Sequence, residues 1–313
     1  MATDQTHVSD GIRNSIGEPD GDFAVAPGGN IVLVTPGAKA TEETDSRFTD
    51  ARSENPIGVD ITQRTFAFAS APDDDYIIMQ FIIENNTGGS LSSLFFGMYL
   101  DWDIQVFNSN AGGYESATEI AWTAYNDGLQ TRSYRGVTAL DGSFSSAATH
   151  LGNIAYFPEG LTEAEKYASM IGGNANSDIY KTSRTDLIQI VAVGPLSLAP
   201  NAVDTVTVAL VAGSTLTNLM TAKLNALQQY ENSILACCVG TRGDVDFDGL
   251  SVPDIVDLTA IVDYLFGIPP DIICPEEADI NGDSASGGLP DIVDLTFIVD
   301  YLFGLPPPLV SCP

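Results

Sequence analysis

Carboxylates at alternate positions are the first chemistry this chain offers. Asp244-Val245-Asp246-Phe247-Asp248-Gly249 is one such run, and Asp279-Ile280-Asn281-Gly282-Asp283-Ser284 is a second. Side-chain oxygens at the first, third and fifth positions of a tight loop converge on a point. A hard cation of calcium's size accepts several such oxygens at ~2.3–2.6 Å, whereas magnesium prefers few protein ligands and keeps its waters. The carbonyl of the seventh position, Leu250 or Ala285, adds another oxygen. Glycine at the sixth position permits the sharp turn. Gly249 supplies it in the first loop, and Ser284 stands there in the second.

A carboxylate at the start of the following element must close each shell. An EF-hand places it at position twelve, where the first loop has Ile255, so both loops are expanded. The nearest acids are Asp254 and Asp257 in one copy, Asp291 and Asp294 in the other. All four are metal-ligand candidates. Asp257 and Asp294 are expected to close the shells, with Asp254 and Asp291 as helix N-caps, each three residues ahead of its partner.

The elements that hold these ligands are themselves duplicated. Val252–Pro270 and Leu289–Pro307 repeat nearly residue for residue at an offset of 37, the mark of a repeated supersecondary unit. Leu258, Ile261, Val262 and Leu265, with their partners Leu295, Ile298, Val299 and Leu302, have the spacing of one buried helix face. A repeated acidic loop followed by a helix ending in Asp-Tyr-Leu resembles a dockerin module, a calcium-folded pair of half EF-hands that binds cohesin β-sandwich partners outside the cell. The resemblance covers roughly the last quarter of the chain. It implies two Ca²⁺ ions, one held by Asp244, Asp246, Asp248 and Asp257, the other by Asp279, Asn281, Asp283 and Asp294. It also implies a partner: a cohesin-like β-sandwich surface on a neighbouring copy or on another extracellular protein.

Charge supports a cation-loving tail. Formal net charge is −30, from 42 acids against 12 Lys plus Arg, and within 241–313 the only base is Arg242. Such density self-repels unless cations bind. Nucleic acid and acidic membrane surfaces both call for basic patches and are disfavoured as partners. No apolar run is long enough to span a membrane. MATDQTHVSD is not a signal peptide, so an extracellular reading implies a leader that was removed or a sequence that was trimmed.

The four cysteines, Cys237, Cys238, Cys274 and Cys312, bracket the repeats. In an oxidising compartment they read as two disulfides stapling a small domain. Neighbours rarely pair, so Cys237 and Cys238 join Cys274 and Cys312, in either order. Zinc is poorly served: there is no CxxC pair, and His7 and His150 are remote.

Upstream the pattern is β. The fold class expected is a mainly β chain: an antiparallel, jelly-roll-like β-sandwich with two helices, then a small α-helical domain of two calcium loop-helix repeats. The expected divisions are an extended arm and loop (1–57), the sandwich (58–236) and the calcium-binding domain (237–313). A short strand is expected at Ile31–Thr35 and a charged loop at 36–56. Expected sandwich strands are Val59–Ala69, Tyr76–Asn85, Leu94–Ile104, Ile120–Tyr125, Arg135–Ala139, Asn153–Phe157, Leu187–Val193 and Asp204–Ala212. Leu196–Asn201 reads as a connector. Thr162 and Glu165 form a capping box at the start of one helix, Thr162–Met170. The other, Thr217–Ser233, carries an apolar stripe of Leu219, Met220, Leu224, Leu227 and Tyr230. The segments TQRTFAFASAPDDDYIIMQFIIEN, LFFGMYLDWDI and GPLSLAPNAVDTVTVALVAG are similar to accessory β-sandwich modules of secreted bacterial proteins, which accompany extracellular catalytic domains. No catalytic residues come with that likeness.

Hydrolytic chemistry finds little support. A Ser-His-Asp triad needs a histidine within reach of a nucleophile, and His150 reads as an exposed loop residue. Asp101 and Asp103 would sit too close together on one strand face to flank a glycosidic bond, so a strand-end calcium site or turn chemistry is expected there. Tyr99, Trp102 and Trp122 could form a sugar-stacking platform, though strand aromatics usually belong to the core. Asn85-Asn86-Thr87 matches a glycosylation sequon. The expectation is a non-enzymatic, secreted, calcium-binding assembly protein that docks head to tail into a filament or homopolymer. Its alternatives are a cohesin-docking or carbohydrate-binding subunit, or the non-catalytic part of a secreted hydrolase.

Overall fold

The computed structural model describes residues 1–12, 20–34, 37, 39–152, 160–235, 237–238, 241–246, 252–267, 274–283, 289–304 and 306–312. The chain divides into two compact units, Met1–Gln228 and Gln229–Pro313.

The first unit is built from antiparallel sheets. One is five-stranded, in the order β12 (Ser146–Leu151), β13 (Leu187–Leu198), β8 (Leu91–Leu100), β1 (Ala2–Asp4), β2 (His7–Val8). The other runs β3 (Ala24–Val25), β5 (Glu42–Thr49), β6 (Val59–Ala67), β7 (Tyr76–Asn85), β14 (Val203–Gly213), β11 (Thr131–Ala139), β10 (Ile120–Asn126), β9 (Asn110–Glu115), with β4 (Val32–Val34) also on β5. Alternation along each strand sends every second side chain to the shared core. Ile61, Phe81, Ile83, Val206 and Val208 come from the larger sheet, and Leu94, Phe96, Ala147 and Val191 from the smaller. Phe81 and Phe96 meet across the layer with ring centroids 4.6 Å apart.

The smaller sheet is apolar on its second face too. Phe95, Ile188, Ile190 and Ala192 alternate with the core-facing set and pack under α1 (Glu163–Ile171) through Met170, Leu161 and Tyr167. Thr162 caps that helix, with Glu165 completing the capping box. A second helix, α2 (Leu216–Gln229), buries Leu219, Ala222 and Ala226. This corrects the expected stripe: Leu224 is exposed, and small alanines occupy the buried face. Residues Tyr230–Ile234 form a π-turn instead of continuing the α-helix expected to Ser233.

The opening of the chain is where sequence and structure part most. Read as an arm, a short strand at Ile31–Thr35 and a charged loop, residues 1–57 contribute β1 to β5, of which β4 alone was expected. β5, EETDSRFT, pairs with β6 from Glu42 opposite Ala67 to Thr49 opposite Asp60. Its polar side chains are mostly half-buried and partly paired: Arg47 bridges to Asp60 at 2.5 Å and Asp45 to Arg64 at 3.4 Å. Glycine-rich β9 escaped notice for a steric reason. A Cβ at Gly113 would lie 2.3 Å from the carbonyl oxygen of Ser177, so only glycine fits that approach. Leu196–Leu198, expected as connector, extends β13 opposite Leu94 to Leu91. The expected strand Asn153–Phe157 lies outside the described residues.

The second unit contains α3 (Ile255–Leu265), the single turn α4 (Pro275–Ala278) and α5 (Ile292–Phe303). Its core is Val245, Ile261, Ala278, Ile280 and Ile298, with Leu258, Leu265, Leu295 and Leu302 packed against them. The buried face is narrower than the periodicity predicts, since Val299 is exposed. Among the described residues no helix is long and apolar enough to cross a membrane.

Candidate metal centre

The aspartates at the start of α3 and α5 are set by local hydrogen bonding. Asp254 has extended backbone and its Oδ1 accepts from the amide of Val256 at 2.6 Å, the behaviour of an N-cap. Asp291 repeats this with Val293 at 2.7 Å. Both side chains therefore engage the helix amides as the spacing predicts, an engagement that satisfies donors each helix would otherwise leave open.

The residues three positions on reach back to the loops. Asp257 Oδ2 accepts from the amide of Asp254 at 2.7 Å, while Oδ1 accepts from Val245 at 2.7 Å and Asp246 at 3.1 Å. One buried carboxylate thus pins the first acidic run to the head of α3. Oxygens of Asp244, Asp246 and Asp257 lie within 4.8 Å of one another. Burial pushes the Asp257 carboxyl up, against the pull of those amides, and Asp246 adds to the rise. Asp294 duplicates the arrangement, taking Asp291 N at 2.9 Å and Asn281 N at 3.2 Å. Burial raises it as well, with Asp279 and Asp291 repelling its charge.

The second loop supplies a direct test of whether a cation fits. Asp279 is only 2% exposed. Its Oδ2 accepts from Arg242 Nη1 at 2.8 Å, but its buried Oδ1 has no hydrogen-bond partner among the described residues. A buried carboxylate oxygen without a donor costs free energy. An all-oxygen donor set of this kind suits a hard cation, the class to which calcium belongs. Asn281 Oδ1 accepts from the amide of Asp283 at 2.8 Å, folding that loop at its third and fifth positions. Asp248, Leu250 and Ala285, together with Gly249 and Ser284, lie outside the described residues.

Two disulfides brace the unit, Cys237–Cys274 and Cys238–Cys312. This settles the order that the spacing left open and leaves no cysteine thiolate for zinc. Arg242, Glu276 and Glu277 were not anticipated as site residues. Glu277 Oε2 accepts from the amides of Gly243 at 2.8 Å and Asp244 at 3.3 Å. The signal for Arg242 was present, as the lone base in an acidic tail.

Other expectations resolve differently. His150 lies in β12, half-buried, with Nε2 3.1 Å from Ser169 Oγ, so it is not an exposed loop residue. Ser169 is buried and donates to the carbonyl of Glu165 at 2.8 Å. Asp101 and Asp103 follow the end of β8 and gather with Asp186, a residue the sequence did not point to. Crowding there shows in Asp186, which burial and then the two neighbouring acids raise. Trp122 is buried, donates to Glu115 at 3.2 Å and packs on Tyr134, so it cannot join a sugar platform. Asn85 is buried and its amide donates to the carbonyls of Gly89, Leu198 and Ala199, which removes it as a glycan acceptor.

Comparison with known proteins adds little. No family model matches the chain, and no curated protein matches it. Among solved structures, a candidate aldose 1-epimerase from Escherichia coli K12 aligns at TM-score 0.31 and 8% identity, over 60% of this chain and 69% of that one. At that score the likeness carries no argument about activity.

Proposed function

We propose that this chain is a non-enzymatic, calcium-dependent docking protein of the extracellular space. In this reading the antiparallel β unit is the body, and the dockerin-like tail is its plug. Asp244, Asp246, Asp257 and Asp248 take one ion, and Asp279, Asn281, Asp283 and Asp294 take the other. The ions supply charge neutralisation and bring loop oxygens to a common centre. The protein's own residues do the rest: the capping boxes fix helix direction, and the disulfides suit an oxidising compartment.

The observation that carries the docking role is a repeated one. Directly after each capping aspartate stands an exposed apolar pair, Ile255-Val256 and Ile292-Val293. Exposed apolar patches rimmed by charge mark protein interaction sites. A calcium-ordered helix start would present this pair to an apolar surface, in our reading the β unit of the next copy. A contact of one face with a different face is heterologous, and when its rotation does not close it grows a filament.

Negative-stain microscopy and sedimentation, with calcium and with chelator, test the reading. Filaments or higher oligomers are expected in calcium alone. Ile255→Asp combined with Ile292→Asp should abolish them while calcium uptake persists. Monodisperse particles at high concentration in calcium would refute self-assembly, and capture of a separate β-sandwich protein by those particles would favour a scaffold-borne subunit.

A further inference from the structure

The two acidic loops are tied to each other by a crossed pair of contacts. Arg242, two residues before the first loop, reaches into the second. Its Nη1 donates to Asp279 Oδ2 at 2.8 Å, to the Asp279 carbonyl at 2.8 Å and to the Glu276 carbonyl at 2.9 Å. Glu277, two residues before the second loop, reaches into the first through the amides of Gly243 and Asp244. Arg242 and Glu277 are both buried. The Arg242 amide also donates to the carbonyl of Val310 at 2.9 Å, anchoring the same point to the returning end of the chain.

Resting on the calcium reading above, we propose that Arg242 and Glu277 form a latch that couples the loops, so that an ion bound in one raises the affinity of the other. The first ligand of the second loop, Asp279, is oriented by the guanidinium, which holds Oδ2 and leaves the buried Oδ1 without a hydrogen-bond partner among the described residues. That guanidinium belongs to a residue two positions before Asp244, the first ligand of the first loop. An ion that orders Asp244 therefore orders the backbone of Arg242, and through it Asp279. In the other direction, an ion on Asp279 steadies the turn that carries Glu277, whose carboxylate fixes the Asp244 amide. The first ion bears most of the ordering cost and the second binds to a loop already arranged, which is positive cooperativity.

The latch is not what closes the unit. Cys237–Cys274 and Cys238–Cys312 already clamp the same junction covalently. Arg242 and Glu277 act as positioning residues, and removing them should alter coupling before it alters folding.

Calorimetric titration of calcium into the chelator-stripped full chain is the test. The native chain is expected to bind its second ion about tenfold more tightly than its first site alone would predict, with a Hill coefficient above one. Arg242→Met and Glu277→Gln should each bring that coefficient to one while the first loop still binds. Arg242→Lys, which keeps the charge but not the planar fork, should restore part of the coupling. Independent filling by the native chain, or unchanged coupling in both Arg242→Met and Glu277→Gln, would overturn the latch. Should Arg242→Met lose its helices, Glu277→Gln decides the question alone. No calcium uptake by the native chain would remove the calcium reading itself, and the latch with it.

Discussion

Three backbone amides converge on Asp257 and two on Asp294, yet burial still raises both carboxyls. The desolvation of the charged form, with neighbouring acids adding to it, outweighs the donors. The sign of the resulting pH dependence follows. Without calcium, a carboxyl raised in the folded state favours folding below the ordinary carboxylate range of ~4, and that contribution is lost as pH rises through the raised values. In the proposed reading calcium takes the ionised form, so with calcium the dependence reverses. Helicity of the chelated chain should therefore increase on mild acidification, whereas apparent calcium affinity should fall over the same interval. Circular dichroism and calorimetry at matched pH values check both halves. An apo tail that loses helicity steadily on acidification would contradict the assignment of Asp257 and Asp294. Replacing Asp257 by Asn removes an acceptor for the Asp254 amide as well as a ligand charge. It should cost about 1 kcal/mol of helix capping and lower the affinity of the first loop about tenfold or more.

At the scale of elements, α1 is fastened to the start of the chain by an interior charge cluster. Lys166 is 1% exposed and its Nζ lies 2.8 Å from Asp10, 2.9 Å from Glu163 and 3.4 Å from Asp20. Burial, with Asp20 and Asp10 nearby, pushes the Asp22 carboxyl up to about 6. Lys166→Met would strand the buried Asp10 carboxylate, and breaking a buried pair by deleting one partner costs about 3–5 kcal/mol. Urea unfolding of the Met1–Gln228 unit should register that loss. A change under ~1 kcal/mol would mean that the cluster is neutralised by protonation instead. This same element shows what could and could not be read from the residues. The capping box at Thr162 and the N-caps at Asp254 and Asp291 were legible because they are local, as were β6, β7 and β14, whose alternation faces a core. β5 was not, because its side chains are polar and its evidence is a backbone ladder to β6. Nor was the buried Lys166, since its partners lie far away in sequence. In the acidic loops, spacing named Asp279 as a ligand candidate, but only its hydrogen bond to Arg242 brought that base to the same place.

For the whole molecule, the contrast between the two units sets their resistance to unfolding. The first buries an extensive core between and behind its sheets. The second relies on a cluster centred on five buried residues, in a segment where Arg242 is the sole base. So small a core rarely sustains a fold unaided, and its acidic side chains repel one another. Disulfides closing sequence separations of 37 and 74 residues offset this, each contributing on the order of 2–4 kcal/mol chiefly by restricting the unfolded chain. Calcium, in the proposed reading, adds stability in proportion to its excess over the dissociation constant. The two stabilisers should therefore substitute for each other. Reduction alone, or chelation alone, should leave α3 and α5 protected from hydrogen exchange to a diminished degree. Both together should expose Gln229–Pro313 completely while the strands of Met1–Gln228 remain protected. Exchange measured by mass spectrometry across these four conditions separates the contributions. If reduction with chelation leaves α3 and α5 as protected as in the oxidised, calcium-loaded chain, the core of the second unit is sufficient by itself and calcium has no structural part in it.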